Sequence, residues 1–368
     1  MKKKFLAFVM AFCLAAGITG QIPAYAAETA AEEEAIKTAV EKEFNTDYSI
    51  TWESNAEQCW NKIILKESGI VELNFTKPEN KTLGIIAMDV FVYDEKGNCF
   101  SKTRDEEKDT VEGSVYIGLD KGTYYIMFAP RYASYVHEKV SSYKFLFNAN
   151  ANCEKESNNR KADATAMKVD TVYTGYLGGG FSNIYDYEDE EDVYKIKLNK
   201  GQVYKFTYGN KQGSTIIKLL GKNTDFYSKW PSIEAKNFCV SPDETFIAPY
   251  TGTYYVQIYN YGNKQYKYTV KVSNVTPKTT SLTSLKAGND AFTAKWKKSS
   301  CSGYQIQYST SKSFKNAKTV SVSKSKVSTT IKKLSSNKKY YVRIRTYRKA
   351  GKKKAYSSWS KAKTVTTK

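Results

Sequence analysis

Apolar and polar residues alternate with a period of two along much of the chain. The alternation is clear in residues 71–75, 124–128 and 143–147, and it returns in residues 194–198 and 204–208. Successive side chains of a strand point to opposite faces, so this period predicts strands with one buried face. Aromatic residues make up 14% of the sequence, including 30 Tyr, and this composition favours strands over helices. We therefore predict an all-β fold.

The tetrapeptide Gly-Thr-Tyr-Tyr occurs twice, beginning at Gly122 and at Gly252, each time before an alternating run, a loop and a second alternating run. A glycine turn precedes each copy at a similar distance, because Gly69 to Gly122 is 53 residues and Gly201 to Gly252 is 51. This repeated layout predicts tandem β-sandwiches, each closing on a hairpin that begins at the tetrapeptide. The two predicted sandwiches span residues 45–150 and 155–274.

The first residues are typical of an export signal. A basic start is followed by an apolar stretch at residues 5–18 and by the cleavage pattern Ala-Tyr-Ala at residues 24–26. We predict that residues 1–26 are a signal peptide and that the mature chain begins near Ala27. No later apolar run approaches the roughly 20 residues that span a bilayer. We expect a monomeric protein without a membrane span that is secreted and is extracellular or associated with the cell wall.

Residues 27–44 have a different period. Ile36, Val40 and Phe44 recur every four residues in a segment rich in Ala and Glu. This pattern predicts a short amphipathic helix, which packs on the first sandwich or serves as a spacer before it.

The sequence offers no complete catalytic site. Its single histidine, His137, has no nucleophile signature beside it and no second histidine with which to hold zinc. Gly178-Gly179-Gly180 precedes Phe181 rather than a helix, so it does not predict a phosphate-binding loop. We predict no catalytic residues and no hydrolase activity, although paired carboxylates of a glycosidase remain open.

Five cysteines follow the signal peptide, and they are widely scattered. Such spacing does not indicate a disulfide scaffold. Two interpretations stay open: a Cys59–Cys99 bridge, or isolated buried thiols.

Residues 155–274 resemble the bacterial pre-peptidase C-terminal domain. The resemblance rests on Glu156-Ser157-Asn158-Asn159, on the acidic run that ends at Asp192, on Leu-Asn-Lys-Gly at 198–201 and on the Gly-Thr-Tyr-Tyr at 252. It implies a jelly-roll-like β-sandwich that accompanies secreted hydrolases without being catalytic. The first sandwich lacks the Glu-x-Asn start and the acidic run, so we interpret it as a diverged copy.

Some members of that family bind calcium, and the resemblance carries their ligands over residue by residue. The candidate calcium ligands are Glu156, Asn158, Asn159, Glu190 and Asp192. Hard oxygen ligands suit calcium. The family usually has Asp where this chain has Glu190, and a solvated acidic loop without metal is the alternative. No other cofactor is expected.

Residues 277–368 resemble a fibronectin type III domain. Trp296 lies on an early predicted strand, and Leu334 precedes Tyr340 by six residues, a spacing similar to the tyrosine corner of that family. The segment Tyr-Ser-Ser-Trp-Ser at 356–360 also fits. The complete prediction is thus two tandem jelly-roll-like sandwiches followed by an immunoglobulin-like sandwich.

The charge of the chain is concentrated in this last module. Residues 277–368 contain 24 Lys or Arg and the single acid Asp290, a net charge of 24 − 1 = +23, whereas the whole chain carries +20. The preceding residues therefore sum to 20 − 23 = −3. The candidate polyanion-binding residues are Arg343, Arg345, Lys352, Lys353 and Lys354. The alternative is that lysines protect sheet edges from aggregation.

Two functional hypotheses follow. In the first, the protein is a non-catalytic bacterial surface or extracellular protein whose sandwiches bind carbohydrate or protein and whose basic module binds anionic cell-wall polymer. In the second, it is a secreted glycoside hydrolase with its acids in residues 186–192, or an accessory subunit of such an enzyme. We favour the first, because about 105 residues remain for a catalytic domain. Nucleic acid is not expected as a partner of an exported protein.

Overall fold

The structure of the 368-residue chain is a computed structural model. It describes residues 30–52, 58–105, 110–131, 136, 138–177, 191–210, 215–221, 239–260 and 265–368. The described residues form strands and one α-helix, which confirms the all-β prediction. No helix among them is long and apolar enough to cross a membrane. The predicted signal peptide, His137, Glu190 and the glycine run at 178–180 lie outside the described residues.

The first sandwich follows helix α1 and has eleven strands among its described residues. The helix is Ala30–Thr38, and the strands are β1 (Val40–Glu41), β2 (Asp47–Trp52), β3 (Cys59–Leu65), β4 (Gly69–Thr76), β5 (Glu79–Asn80), β6 (Gly84–Ile85), β7 (Met88–Tyr93), β8 (Cys99–Asp105), β9 (Glu112–Leu119), β10 (Gly122–Pro130) and β11 (Lys139–Ala149). One sheet has the order β1-β3-β10-β7-β8 and faces a second with the order β2-β11-β4-β9. The short strands β5 and β6 pair with each other.

The second sandwich repeats this arrangement. Its strands are β12 (Thr165–Ala166), β13 (Tyr173–Leu177), β14 (Glu191–Leu198), β15 (Val203–Gly209), β16 (Thr215–Leu220), β17 (Cys239–Val240), β18 (Thr245–Ile247), β19 (Gly252–Asn260) and β20 (Tyr266–Asn274). The sheet orders are β12-β14-β19-β16-β17 and β13-β20-β15-β18. Each strand thus has a counterpart at the same place in the first sandwich. Common descent of the two sandwiches stays a prediction.

The third sandwich is built from the last eight strands. They are β21 (Leu282–Gly288), β22 (Ala291–Trp296), β23 (Gly303–Ser309), β24 (Lys318–Ser323), β25 (Ser328–Ile331), β26 (Lys339–Ala350), β27 (Lys353–Tyr356) and β28 (Lys363–Thr366). One sheet has the order β21-β22-β25. The other has the order β24-β23-β26-β27, and β28 also pairs with β26.

Three separate hydrophobic clusters fill the sandwiches. Alternating residues of the facing sheets supply them, including Leu73, Phe128 and Phe145 in the first and Tyr194 and Phe206 in the second. The third is formed around other buried side chains, which include Phe292, Trp296, Tyr304, Val342 and Ile344. The predicted inward faces are thereby confirmed, and the predicted boundaries 45–150, 155–274 and 277–368 stay predictions.

The two Gly-Thr-Tyr-Tyr strands occupy equivalent places but do not form the predicted hairpins. Gly122 of β10 pairs with Leu65, and Gly252 of β19 pairs with Leu198. Both strands are central in their sheets, whereas the following strands β11 and β20 belong to the opposite sheets. The hairpin prediction was wrong because the two strands of each pair, β10 with β11 and β19 with β20, cover the core from opposite sheets. The connection between them therefore crosses from one sheet to the other.

The N-terminal helix is shorter than predicted. It ends at Thr38, and Val40 begins strand β1, which pairs in parallel with β3. Phe44 lies beyond this strand, and its ring packs 5.4 Å from that of Phe147. The helix therefore ends before the four-residue period of the sequence does, because Val40 and Glu41 pair with β3 at the sheet edge instead of continuing the helix.

The five cysteines Cys59, Cys99, Cys153, Cys239 and Cys301 are free thiols. The bridge between Cys59 and Cys99 that the sequence left open is thus absent. Burial raises the pKa of Cys153 to about 11, so this thiol stays protonated at neutral pH.

Tyrosine hydroxyls fix the turns that precede many strands. In five places within the part of the chain that the structure describes, a backbone N–H donates to the hydroxyl of the tyrosine five residues later, near the start of a strand, at 2.9–3.2 Å. The tyrosines are Tyr48, Tyr173, Tyr204, Tyr304 and Tyr340. Each hydroxyl satisfies a donor that the turn leaves without a partner. The tyrosine corner predicted at Tyr340 is one of these, with Ser335 N as its donor.

Replacing Tyr340 by Phe should weaken the third sandwich. The change removes one hydrogen-bond acceptor and keeps the ring, so we expect a loss of about 1 kcal/mol of stability. For a domain of this size such a loss lowers the melting temperature by about 4–8 °C. Differential scanning calorimetry of the mature chain measures it. Tyr341→Phe, on the outer face of the same strand, is the control and should cost no more than about 0.5 kcal/mol. Equal effects of the two variants would contradict the capping role.

Candidate metal centre and basic surface

Three carboxylates meet where the first sandwich joins the second. Oxygen atoms of Glu154, Glu156 and Asp192 all lie within 4.8 Å of one another. Asp192 is the second residue of β14, and the two glutamates belong to the segment between the sandwiches, residues 150–164. Glu154 and Asp192 are fully buried. These three carboxylates, with Asn158 and Asn159 of the same segment, are called the acidic centre.

Backbone hydrogen bonds hold the connecting segment in place. Cys153 forms a parallel bridge with Thr174, and Glu154 N donates to Thr174 O at 2.9 Å. Four residues later, Asn158 O accepts from Val193 N at 2.9 Å. The segment is therefore attached to β13 at one end and to β14 at the other. Its residues 154, 156 and 158 supply side chains to the same centre.

Four buried oxygens of the acidic centre have no hydrogen-bond donor. They are Glu156 Oε2, Asn158 Oδ1, Asn159 Oδ1 and Asp192 Oδ1. Burying a polar atom without a partner costs free energy, and folded proteins rarely leave several together. All four are acceptors, as is the carboxylate of Glu154 beside them. A hard divalent cation is the partner that satisfies such a set, and the oxygen-only composition fits calcium.

Tyrosine hydroxyls orient the carboxylates from the core side. The Tyr268 hydroxyl lies 2.6 Å from Asp192 Oδ2 and 3.1 Å from Glu154 Oε2, and the Tyr194 hydroxyl lies 2.8 Å from that of Tyr268. On the other side Glu154 Oε1 accepts from Tyr176 N at 2.7 Å. One oxygen of Asp192 is thus held by the protein while Oδ1 lacks a donor. Such supporting contacts are typical of metal ligands.

A glycine makes room for the centre. A Cβ built on Gly175 of β13 would overlap Glu154 Oε2 and the ring of Tyr268. Any side chain at this position would displace a carboxylate. Gly175 therefore forms part of the cradle.

Burial and crowding alter the acid strengths. Burial raises the pKa of Asp192 from its ordinary 3.8 to about 6, against the opposing hydrogen bond from Tyr268. Burial, with the charge of Asp192 added to it, also raises the pKa of Glu156. The charged forms of both acids are therefore costly unless a cation is present.

Of the five predicted calcium ligands, the structure brings three together, namely Glu156, Asn158 and Asp192. Asn159 follows Asn158 in the same segment and has a buried oxygen without a donor, whereas Glu190 lies outside the described residues. Sequence reasoning missed Glu154. A signal was available in Glu154-x-Glu156-x-Asn158, because alternate residues of an extended segment share a side.

The acidic centre also touches the first sandwich. Glu156 N donates to Gly118 O of β9 at 3.0 Å, and Lys155 forms an ion pair with Asp120. Further along β9, the Gln265 side chain accepts from Tyr116 N at 2.8 Å and donates to Tyr116 O at 2.7 Å. The two sandwiches are therefore joined along the edge of β9.

The predicted polyanion residues Arg343 and Arg345 lie side by side on β26 and stack on aromatic rings. The Arg343 guanidinium lies 3.9 Å from the ring centre of Phe314 and 4.8 Å from that of Trp359. That of Arg345 lies 4.3 Å from Trp359 and 3.9 Å from Tyr356. Each also donates to a glutamine: Arg343 to Gln307 and Arg345 to Gln305. The two arginines are thus fixed in a stacked row, which orders their charge and occupies part of their donor capacity.

The predicted lysines at the hairpin tip are open to solvent. Lys352 lies in the turn between β26 and β27, and Lys353 and Lys354 begin β27, with all three exposed. Lys354 Nζ lies 4.8 Å from the ring centre of Tyr347. The tip therefore presents three cations, and Glu244 of the second sandwich lines the same surface hollow as Lys353.

Comparison with known families identifies the third sandwich. The family model of the fibronectin type III domain matches residues 270–363. The resemblance seen in the sequence is thereby confirmed for this part of the chain. No comparison supports or excludes the pre-peptidase C-terminal resemblance of residues 155–274, which stays a prediction. No curated protein matches the chain.

Solved structures give weak likenesses. The fibronectin type III domain of human collagen alpha-1(XX) is 20% identical, covering 25% of this chain and 86% of that one, with a TM-score of 0.22. The FN1-FN3 domains of chicken CNTN1 are 16% identical, covering 84% and 98%, with 0.23. A beta-1,2-glucanase from Parabacteroides distasonis is 9% identical, covering 48% and 30%, with 0.22. At these TM-scores none carries an argument.

Without metal, the mature chain should gain stability from Asp192 as the pH falls from about 6 to about 4. The raised pKa means that the folded state takes up the proton more readily than the unfolded one, so this contribution is complete below about pH 4 and is lost as the pH rises through about 6. Its upper limit is about 3 kcal/mol, from about 1.4 kcal/mol per pH unit. Denaturation in excess chelator at several pH values measures it.

The control for this prediction is Asp192→Asn, which keeps the shape and removes the titration. Glu154, Glu156, Tyr194 and Tyr268 face Asp192 and stay in place, so the difference between wild type and variant isolates the one carboxyl. A difference that does not change with pH would contradict the raised pKa.

Proposed function

We propose that this protein is an exported, non-catalytic binding protein whose fibronectin type III domain attaches it to an anionic cell-wall polymer. The observation that carries the proposal is the charge of that domain, +23 over residues 277–368 by the count above. Its one acid, Asp290, accepts a hydrogen bond from Ser336 at 2.5 Å and lies in the turn before β22. No other carboxylate side chain in the domain is available to neutralise the lysines.

This charge exceeds what solubility requires. A net charge of magnitude about 2–8 keeps a small domain soluble, and a larger excess of one sign repels itself in the compact state. Binding to a polyanion relieves that repulsion. The stacked row of Arg343 and Arg345 and the exposed tip at 352–354 place cations along one sheet, so a linear polymer with repeated negative groups suits the domain.

The absence of catalysis is part of the proposal, and the acidic centre supports it. Its carboxylates are close enough to suggest a glycosidase pair, since retaining enzymes keep theirs about 5–5.5 Å apart. Glu154 and Asp192 are, however, fully buried. A sugar ring has no access to both. Binding of carbohydrate or protein by the two preceding sandwiches also stays a proposal.

We further propose that the acidic centre holds calcium through Glu154, Glu156, Asn158, Asn159 and Asp192. A divalent cation would neutralise the clustered carboxylates and accept coordination from the four oxygens that lack donors. The ion would have a structural role. Because the connecting segment is bonded to β9, β13 and β14, the residues around the ion hold both sandwiches.

The mature chain should bind purified cell walls in a salt-dependent way. Attraction between exposed charges weakens as the Debye length falls from about 10 Å at 0.1 M salt to about 3 Å at 1 M. We expect sedimentation with walls at low salt and release at high salt. Walls stripped of their anionic polymers are the control and should retain little protein. Retention that is absent, or indifferent to salt and to stripping, would contradict the proposal.

Calcium should raise the melting temperature of the mature chain at pH 7. An ion that binds only the folded state stabilises it by about 2.7 kcal/mol at 100 times its dissociation constant. Calorimetry in millimolar calcium and in excess chelator measures the shift. Asp192→Asn should reduce it strongly, whereas Asp243→Asn, which changes an exposed acid of the same sandwich, should keep it.

A second variant tests the cradle without changing a charge. Gly175→Ala places a methyl group against Glu154 Oε2, so the calcium shift should be lost even if the apo protein is only slightly less stable. A shift that is absent in the wild type, or equal in all four proteins, would refute the calcium site.

A further inference from the structure

We propose that the phosphate groups of a linear polyol-phosphate chain bind in an open cleft at one end of the fibronectin type III domain. The cleft has a volume of about 730 Å³ and lies beside the stacked arginine row, with Trp359 in its wall. None of the candidate residues inferred from the sequence lines it. The inference rests on the proposed binding of an anionic polymer and assigns that binding to one place.

The lining of the cleft is rich in cations and hydroxyl groups. Three chain segments form it: the start of β21 with the residues before it, the residues that follow β22, and the approach to β28. The four lysines among the lining residues are Lys297, Lys298, Lys361 and Lys363, and all are exposed. Side chains of Thr279, Ser281 and Ser299 add hydroxyl groups. No acid lines the cleft.

The only acid of the domain is too far away to neutralise these lysines. Asp290 precedes β22 and Lys297 follows it, so the two lie at opposite ends of this strand. Seven residues of extended chain span about 23 Å at roughly 3.3 Å per residue. Because the Debye length is about 8 Å at physiological salt, the carboxylate of Asp290 is screened from the cleft.

The walls of the cleft are held together by hydrogen bonds. Lys297 N donates to Ser281 O at 3.1 Å, and Thr280 Oγ1 donates to Lys297 O at 2.6 Å. Lys363 Nζ reaches across to Thr283 O at 2.9 Å. Trp359 is fixed by the two stacked arginines. The lysines thus project from a rigid frame, which reduces the entropy lost when a ligand binds.

The shape and the chemistry favour a chain of phosphates over a single small anion. Ammonium groups are compact point charges that bind phosphate oxygens, and hydroxyl groups can donate to the same oxygens. Lysines stand on two of the three segments that form the cleft, and the cleft is open to solvent. Several phosphates in succession can therefore contact it, while a single one would leave most of the charge unused.

Binding of synthetic poly(glycerol phosphate) to the mature full-length chain tests the inference. The cleft variant is Lys297→Gln, Lys298→Gln and Lys361→Gln; Lys363 is kept because of its bond to Thr283 O. The control removes the same charge elsewhere in the domain by Lys286→Gln, Lys324→Gln and Lys326→Gln, which are also exposed. We expect the cleft variant to bind about 10-fold or more weakly and the control less than about 3-fold more weakly. The dependence of log K on log salt should become shallower by about 2 in the cleft variant, at roughly 0.7 per lost contact.

Each outcome separates this inference from the proposed function. Equal losses in the two variants would refute the cleft and leave polymer binding by the domain intact. A wild type that sediments with purified walls but does not bind poly(glycerol phosphate) would refute the polyol-phosphate assignment, whereas a wild type that binds neither would refute the proposed function itself. Tighter binding of single-stranded DNA with the same number of phosphates would refute the polyol-phosphate assignment. Calorimetry and the charge-preserving variant Lys297→Arg, Lys298→Arg and Lys361→Arg, which should bind like wild type, show whether a loss reflects misfolding.

Discussion

Repulsion among three buried carboxylates is the constraint on which the joined sandwiches depend. Glu154 and Asp192 are fully buried, and the buried Oε2 of Glu156 has no hydrogen-bond donor. Separating these acids would relieve the repulsion, but the backbone bonds of the connecting segment to β9, β13 and β14 keep them together. Either protons or a cation must therefore compensate the charge, and burial raises the pKa of Asp192 in the direction that favours a proton. The path of the chain between the sandwiches therefore determines how close these three carboxylates lie.

Much of the fold could be predicted because period-two alternation reports directly which residues face a core. The partner of each strand could not, since inward-facing residues look alike whether the next strand joins the same sheet or the opposite one. This is why the strands that begin at Gly122 and Gly252 were expected in hairpins. Val40 shows a similar limit. Its place in a helical period does not reveal that its backbone pairs with the edge of a sheet.

The candidate sites were predictable to different extents. Glu156, Asn158 and Asp192 could be found because they share a motif within 40 residues, while Glu154 lies outside that motif and was missed. The basic surface was visible as charge, but not the row that Arg343 and Arg345 form with rings from two separate segments. Nor could the cleft be seen, since Lys297 and Lys361 are 64 residues apart in sequence. Charge can be counted along a chain, whereas shape requires the fold.

The side chain of Gln265 has a consequence for the order in which the molecule is made. It covers the backbone of Tyr116 on the edge strand β9, yet it follows Tyr116 by 149 residues. The first sandwich therefore completes its own strands while this edge is still open, and an open edge is a template for pairing with other chains. Gln265 lies between β19 and β20, so it can close the edge only after most of the second sandwich has been synthesised. A nascent chain that stalls or is cut between the sandwiches thus exposes an adhesive edge that the finished protein hides.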